Sequence, residues 1–287
     1  MTEPVGQTGE WTRLGILAGG GDLPLELAEA RRSENPFIVE LSGFADRDYS
    51  AFETTRQAVG QIGGVIKALK AAGCDAICFA GYVTRPDFSA LKMDTRGLAL
   101  LPKVLAAARK GDDALIRAVV SAFEQEGFRI VGADTVKGEL IPSGPQDAMG
   151  VDPAGHEDDT AKACEIARQM GALDIGQGAV VADGLVLAVE AQEGTMGMLE
   201  RVAGLPAELR GSADQRRGVL AKMPKPIQER RVDLPTIGLD TVEACHRAGL
   251  AGIALEAGGA IILEREQVRA ALQAHGLFVV IVDPPHG

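Results

Sequence analysis

Short apolar runs alternate with polar stretches of helical period along the first 130 or so residues. Arg13–Ala18 (RLGILA) is a compact apolar run closed by Gly19-Gly20-Gly21, after which Asp22 leads into a helical stretch, Leu23–Arg32. Phe37–Leu41 reads as a second strand. Val59, Ile62, Ile66 and Leu69 recur at helical spacing and predict a helix over Thr55–Ala72, stopped by Gly73. Asp75–Ala80 (DAICFA) reads as a third strand ending at Gly81, two helices follow at Thr95–Arg109 and Asp113–Glu126, and a strand closes the series at Phe128–Gly132. Alternation of this kind predicts a parallel sheet covered by helices on both faces.

Between Val136 and Asp158 the periodicity is lost. The run KGELIPSGPQDAMGVDPAGHED is polar and rich in Gly and Pro, the grammar of a linker or mobile loop. A helix at Asp159–Met170 opens a second half with a different pattern. Ala179–Ala182 and Leu185–Glu190 are apolar runs joined through Asp183-Gly184, a hairpin signal. Then come a strand at Gly218–Met223, a helix at Thr241–Ala248, strands at Gly252–Glu256 and Ala260–Leu263, a helix at Arg265–His275 and a strand at Leu277–Val282. The expected fold is therefore α/β in two parts: a Rossmann-like parallel-sheet domain over 12–140, a linker over 141–158, and a mixed α/β domain over 159–287, with residues 1–10 as a disordered tail.

Composition narrows the function. The net charge is −11 and aromatics make up 4% of 287 residues, which argues against a broad nucleic-acid surface or a base-stacking platform. No run approaches the roughly 18 apolar residues of a spanning helix, and the polar N-terminus has no apolar signal region, so a cytoplasmic location is expected. Cys74, Cys78, Cys164 and Cys245 form no CxxC pair and read as buried thiols. Neither HExxH nor GxSxG occurs, which removes the zincin and serine-hydrolase readings; His246 reads as a solvent or core hydrogen-bonding residue.

Against that acidic background, Lys222 to Arg231 holds Lys222, Lys225, Arg230 and Arg231 with one acid, Glu229, and Asp233 follows. Clustered cations suit a phosphate or diphosphate, and an acid among them stays ionised, able to hold a metal or orient a water. A surface ion-pair network with Asp233 capping a turn is the plainer alternative. The turn Gly19–Asp22 follows a strand and opens a helix, an anion-binding arrangement, but the dinucleotide fingerprint is only partly met. Gly19 and Gly21 fit it, Pro24 stands at its third small position, and Glu40 would be the ribose-binding acid. Asp22 is equally an N-cap. Asp112 and Asp113 are either Mg²⁺-binding carboxylates or acids placed by a helix dipole. Thr195, after Glu193-Gly194, is an N-cap or a ligand contact.

LGILAGGGDLP, GDDALIRAV, GALDIGQ with LAVEAQEGT, and KPIQERRVDLPTIG followed by AGLAGIALEAG together resemble one family over Arg13–Val282. It is the UDP-2,3-diacylglucosamine diphosphatase family of lipid A biosynthesis that is unrelated to metallophosphoesterases. The resemblance implies hydrolysis of a diacylated UDP-glucosamine to UMP and lipid X with Mg²⁺ or another divalent metal. It also implies peripheral contact with the inner face of the inner membrane, and leaves homo-oligomers open. The motif acid falls on Asp233, the expected catalytic residue and metal ligand. Substrate contacts are expected at Gly20, Gly21, Asp22, Gly81, Asp112, Asp113, Gln177, Glu193, Gly194, Thr195, Lys225, Arg230, Arg231 and Thr236. The chain departs from the family pattern after EGT, where Met196 and Gly197 replace the usual Asp, and after Ile141, where a basic segment is missing. A nucleotide-dependent oxidoreductase using the first glycine turn and a non-catalytic nucleotide-sugar or lipid binder are the alternatives from other classes.

Overall fold

A computed structural model of the chain describes residues 11–84, 91–109, 111–226 and 228–285; the tail expected over residues 1–10 lies outside them. The chain divides into two units, with the boundary between Gly138 and Glu139.

The first unit contains β1 (Leu14–Ala18), α1 (Leu23–Ala30), β2 (Phe37–Leu41), β3 (Glu53–Gln57), α2 (Ile62–Ala71), β4 (Ala76–Ala80), α3 (Thr95–Ala108), α4 (Asp112–Glu124), β5 (Arg129–Ile130) and α5 (Ala133–Val136). All five strands are parallel, in the order β3-β2-β1-β4-β5. This is the doubly wound arrangement, in which the winding reverses between β1 and β4 and leaves a crevice at their carboxyl ends. Central strands β1 and β4 are apolar nearly throughout because both faces are covered, with Leu14, Ile16, Ile38, Ile77, Leu27, Leu69 and Phe123 buried between sheet and helices. The helix expected over Thr55–Ala72 is a strand followed by a shorter helix. β3 (ETTRQ) has no apolar residue because it is an edge strand with half-exposed side chains, so its hydrophobic signal is absent; α2 begins only at Ile62.

The second unit contains β6 (Met149–Gly150), α6 (Glu157–Ala172), β7 (Gly178–Ala182), β8 (Leu185–Val189), α7 (Gly194–Ala203), α8 (Ala207–Arg210), β9 (Val219–Lys222), β10 (Thr236–Ile237), α9 (Leu239–Arg247), β11 (Gly252–Glu256), β12 (Ile261–Ile262), α10 (Arg265–His275) and β13 (Phe278–Val282). Six strands form one sheet in the order β6-β13-β11-β9-β7-β8; β9, β11 and β13 are parallel, while β6, β7 and β8 are antiparallel to their neighbours. β10 and β12 form a separate parallel pair. Side chains alternate across the large sheet: Val180, Leu220, Ile253, Leu255 and Val279 face one core with α7, α9 and α10, and Ala179, Val181, Val219, Ala221 and Ala254 face the other with α6. The β7–β8 turn places Asp183 at φ 48° and Gly184 at φ 75°, the primed hairpin geometry that Asp-Gly favours.

Residues 141–158, expected as a linker, fall within the second unit. Gly258 N–H donates to Pro142 O at 2.8 Å, Val151 N–H donates to Leu277 O at 3.0 Å, Arg265 pairs with Asp147 at 2.9 Å, and β6 pairs with β13. Tight packing explains Gly150, which has φ +91° and where a Cβ would lie 2.1 Å from Leu277 O.

Candidate functional site

The carboxyl ends of the second unit's parallel strands carry a buried polar cluster. β9 ends at Lys222 and β11 at Glu256. Gly178, the first residue of β7, pairs with Lys222, and Glu190, just past β8, donates its N–H to Gly178 O at 2.9 Å. Gln177, Glu190, Lys222 and Glu256 therefore share one sheet edge, where open α/β sheets hold ligands. The Lys222 side chain is buried and its Nζ donates to Thr236 O at 2.8 Å, tying the end of β9 to the start of β10. Burial pushes the Lys222 amine down from its ordinary value, opposed first by the negative charge of Glu190. Glu190 Oε2, Gln177 Oε1 and Gln228 Nε2 are buried without a hydrogen-bond partner. Small residues make room for them: a Cβ on Gly178 would stand 2.5 Å from Glu190 Oε2.

The basic segment folds as a loop between β9 and β10. Lys225 N–H donates to Gln228 Oε1 at 2.9 Å, and Asp233 N–H donates to Glu229 O at 3.0 Å, which turns Asp233 back along the loop at half-buried depth. The expected cations lie here, each with a carboxylate. Lys225 Nζ meets Asp174 at 2.7 Å, Arg231 Nε meets Glu229 at 2.8 Å, and Arg230 Nη2 approaches Glu256 at 3.5 Å. Glu256, almost fully buried, also takes Arg168 at 3.1 Å. Five cations (Arg168, Lys222, Lys225, Arg230, Arg231) thus stand among five acids (Asp174, Glu190, Glu229, Asp233, Glu256), so the local excess of positive charge along the sequence is balanced in space. Arg230, half exposed with the longest of these contacts, is the cation most easily redirected to an incoming phosphate. Thr236 Oγ1 donates to Leu234 O at 3.1 Å.

Glu193, Gly194 and Thr195 join the end of β8 to α7. Glu193 occupies the N-cap position without a side-chain cap, and Thr195 is half-buried in the first turn. The Glu193 carboxylate accepts from Arg201, and a hydrogen bond from its own backbone N–H, with Arg201, holds its carboxyl below the usual range.

In the first unit Gly20, Gly21, Asp22 and Gly81 come together at the β1–β4 crevice. The backbone N–H groups there are engaged: Gly19 donates to Ala80 O at 2.8 Å, Gly20 to Tyr82 O at 2.9 Å, and Gly21 to Asp46 Oδ1 at 3.0 Å. Close approach explains the glycines, since a Cβ on Gly20 would lie 2.4 Å from the Tyr82 ring. Pro24 stands where a dinucleotide site has its third small residue, and Gly81, at φ +83°, makes the space, with Pro24 Cγ 2.9 Å from where its Cβ would be. Asp22 makes no side-chain cap; Arg47 Nε donates to its Oδ1 at 2.5 Å and holds its carboxyl below the usual range. Glu40, the expected ribose acid, is paired with Arg56 at 2.5 Å. Asp112 and Asp113 open α4; Asp113 pairs with Arg117 at 2.8 Å, and the Asp112 side chain is outside the described set. Because α4 leads into β5 of a parallel sheet, its start lies toward the carboxyl edge.

Asp46, Arg47 and Tyr82 in the first unit and Arg168 in the second escape a motif reading, while Glu190, Gln228 and Glu256 lie inside the family-like segments but are not among the expected site residues. Lone polar residues in loops or at strand ends carry no spacing signal; only the charge of Glu190 at the end of an apolar run hinted at burial. The four cysteines are buried, and burial pushes their thiols up, to about 12 for Cys78 and Cys245. Among the described residues no three His, Cys, Asp or Glu side chains converge to hold a metal. A Mg²⁺ ion held by one carboxylate jointly with substrate phosphates needs less, and the Asp233 carboxylate has the right hard-oxygen chemistry for it.

Taken together, a doubly wound parallel unit and a mixed-sheet unit, each with its polar chemistry at the carboxyl ends of parallel strands, define a two-unit α/β protein. The LpxI N-terminal domain matches residues 13–140 and the LpxI C-terminal domain matches residues 148–280, and the chain belongs to the LpxI family. The UDP-2,3-diacylglucosamine pyrophosphatase LpxI of Caulobacter vibrioides is 54% identical over 275 residues, covering 95% of this chain and 98% of its own. The solved structure of CobK precorrin-6A reductase aligns with 96% of this chain and 88% of its own at 14% identity, but its TM-score of 0.33 carries no inference.

Proposed function

We propose that the chain is a hydrolase that splits the diphosphate of UDP-2,3-diacylglucosamine into UMP and 2,3-diacylglucosamine 1-phosphate, in lipid A biosynthesis. The observation that carries this reading is the 54% identity, over nearly the full length of both chains, to a curated pyrophosphatase of that substrate. The geometry supports it with an acid on a cation-rich loop at a sheet edge suited to ligands. In the proposed reaction, Asp233 orients a water and takes its proton as the oxygen attacks phosphorus and the P–O–P bridge breaks. Lys225, Arg230 and Arg231 exchange their present carboxylate partners for phosphoryl oxygens and offset the charge that builds there. Asp233 would hold Mg²⁺ jointly with the substrate phosphates, where the ion supplies charge neutralisation. Gln177, Glu193, Gly194, Thr195 and Thr236 would line the same edge of the second unit; in the first unit, taken by itself, Gly20, Gly21, Asp22, Gly81, Asp112 and Asp113 are the proposed substrate contacts. The acylated substrate implies work at a membrane surface through peripheral contact; among the described residues no helix is long and apolar enough to cross a membrane.

The oxidoreductase alternative loses ground because both halves of the chain match the LpxI domains and the 54% identical relative is a pyrophosphatase. UMP release from UDP-2,3-diacylglucosamine, followed with added Mg²⁺ and then with chelator, tests the proposal. Release that stops on chelation supports the metal-assisted reaction; release unaffected by chelation removes the metal from it.

A further inference from the structure

In the first unit, α3 is apolar on two opposite faces. Gly97 and Ala108 are buried on one, where α3 packs against α2 and α4 and a Cβ on Gly97 would collide with Gly60 O. The other face is exposed and carries Leu98, Ala99, Pro102, Leu105 and Ala106. Spacings of i, i+4 and i+7 set Leu98, Pro102 and Leu105 in one line, with Leu98 62% and Leu105 38% exposed. A surface helix ordinarily turns polar side chains outward, as α6 does with Glu157, Asp158, Lys162, Glu165 and Gln169. An outward line of leucines marks a face that meets something other than water.

Charge says what that something is. No acid occurs from Thr95 to Arg109, in a chain of net charge −11, while Arg96, Lys103 and Arg109 are exposed beside the apolar line. The acid just before the helix, Asp94, is committed to backbone: its carboxylate accepts from the N–H groups of Arg96, Gly97 and Gly64. Leucines flanked by cations, with no acid among them, suit a helix lying in the headgroup layer of an anionic bilayer. With 14 residues, about 21 Å, α3 is too short to span one. A second copy fits worse, because a self-complementary contact would set these cations against their own counterparts. We propose that α3 docks the chain on an anionic lipid surface, with Leu98, Pro102 and Leu105 entering the headgroup layer and Lys103 and Arg109 meeting lipid phosphates. Two acyl chains on the substrate are the reason for meeting a membrane, and to that extent the proposal rests on the diphosphatase reading.

Flotation of the full chain with substrate-free vesicles tests the surface apart from the reaction. Vesicles of phosphatidylglycerol and phosphatidylethanolamine are expected to bind the wild type, and phosphatidylcholine vesicles to bind it about tenfold less. Leu98→Ser with Leu105→Ser is expected to weaken binding to the anionic vesicles by about tenfold or more. Lys103→Glu is expected to weaken it about fivefold at low salt, with the difference fading at high salt. This surface charge variant leaves the apolar line intact and serves as the test if the leucine pair lowers the melting temperature. A wild-type chain that stays off anionic vesicles would overturn the proposal, as would folded variants that bind them as well as the wild type. So would a wild-type dimer in sedimentation that the leucine pair converts to monomer, which would give the face to a second copy. Failure of the diphosphatase reading would show separately, as vesicle binding by a chain that releases no UMP.

Discussion

Lys222 is an amine withdrawn from water, with one carbonyl as hydrogen-bond partner and Glu190 as its foremost opposing charge. Removing either charge alone strands the other, which in buried pairs costs about 3–5 kcal/mol, whereas removing both costs far less. Lys222→Met is therefore expected to lower stability by roughly 3 kcal/mol, and Glu190→Gln introduced with it to restore most of the loss, read by urea unfolding as a double-mutant cycle. Additive losses would show that the two charges do not support each other. At this scale the sequence was legible where charge and motif coincide. Asp233 and the four basic residues before it stand out in an acidic chain, and the structure places Asp233, Lys225, Arg230 and Arg231 on one loop, with Lys222 ending the strand that leads into it. The pairing was not legible, because Asp174, Glu190 and Glu256 reach the loop from separate elements through sheet register.

Between α9 and α10 the imidazoles of His246 and His275 stack with centroids 4.0 Å apart. Arg216 Nη2 donates to His246 Nδ1 at 2.6 Å; a guanidinium only donates, so that nitrogen carries a lone pair and the ring is neutral. Burial first, then the charges of His275 and Arg216, hold His246 below its ordinary value of 6.5, while Glu243 and Arg247 complete the charged surroundings. The Glu243 carboxyl is held below its usual 4.5 by the hydrogen bond from His275 Nε2. For both groups the unfolded chain binds protons more readily than the folded one, so stability is full above the ordinary values and falls with acidification. The melting temperature is expected to drop first as pH falls below about 6.5 and further below about 4.5. His246→Gln should flatten the first drop, and an unchanged profile in that variant would assign it to other groups.

Backbone packing sets a second expectation for the elements. Gly81→Ala puts a Cβ 2.4 Å from Gly20 O at a positive φ, and should cost about 2 kcal/mol or more. Gly184→Ala has equal φ strain but open space, and should cost only about 1 kcal/mol. Equal losses in thermal unfolding would mean that the crevice relaxes around the added methyl. Elements with a strong apolar period, such as α2, β4, β11 and α10, were legible. β3 was not, because a polar edge strand advertises no buried face, and residues 141–158 were not, because Gly and Pro mark tight packing as readily as a linker.

For the whole molecule, alternation of strand and helix in the first half and a hairpin signal in the second sufficed for two α/β parts, one parallel and one mixed, as the structure shows. Strand order was beyond reach, since β3-β2-β1-β4-β5 and the position of β6 beside β13 depend on which edges pair in space. This architecture serves one proposed reaction through one acid, Asp233. Its most direct test is the release of UMP and 2,3-diacylglucosamine 1-phosphate from UDP-2,3-diacylglucosamine by the purified chain, compared with Asp233→Asn. That near-isosteric variant is expected to lose at least about a hundredfold in kcat while still binding both products and melting within a few degrees of the wild type. Near-normal turnover in folded Asp233→Asn would contradict the assigned acid, and a wild-type chain that releases no UMP would contradict the reaction itself.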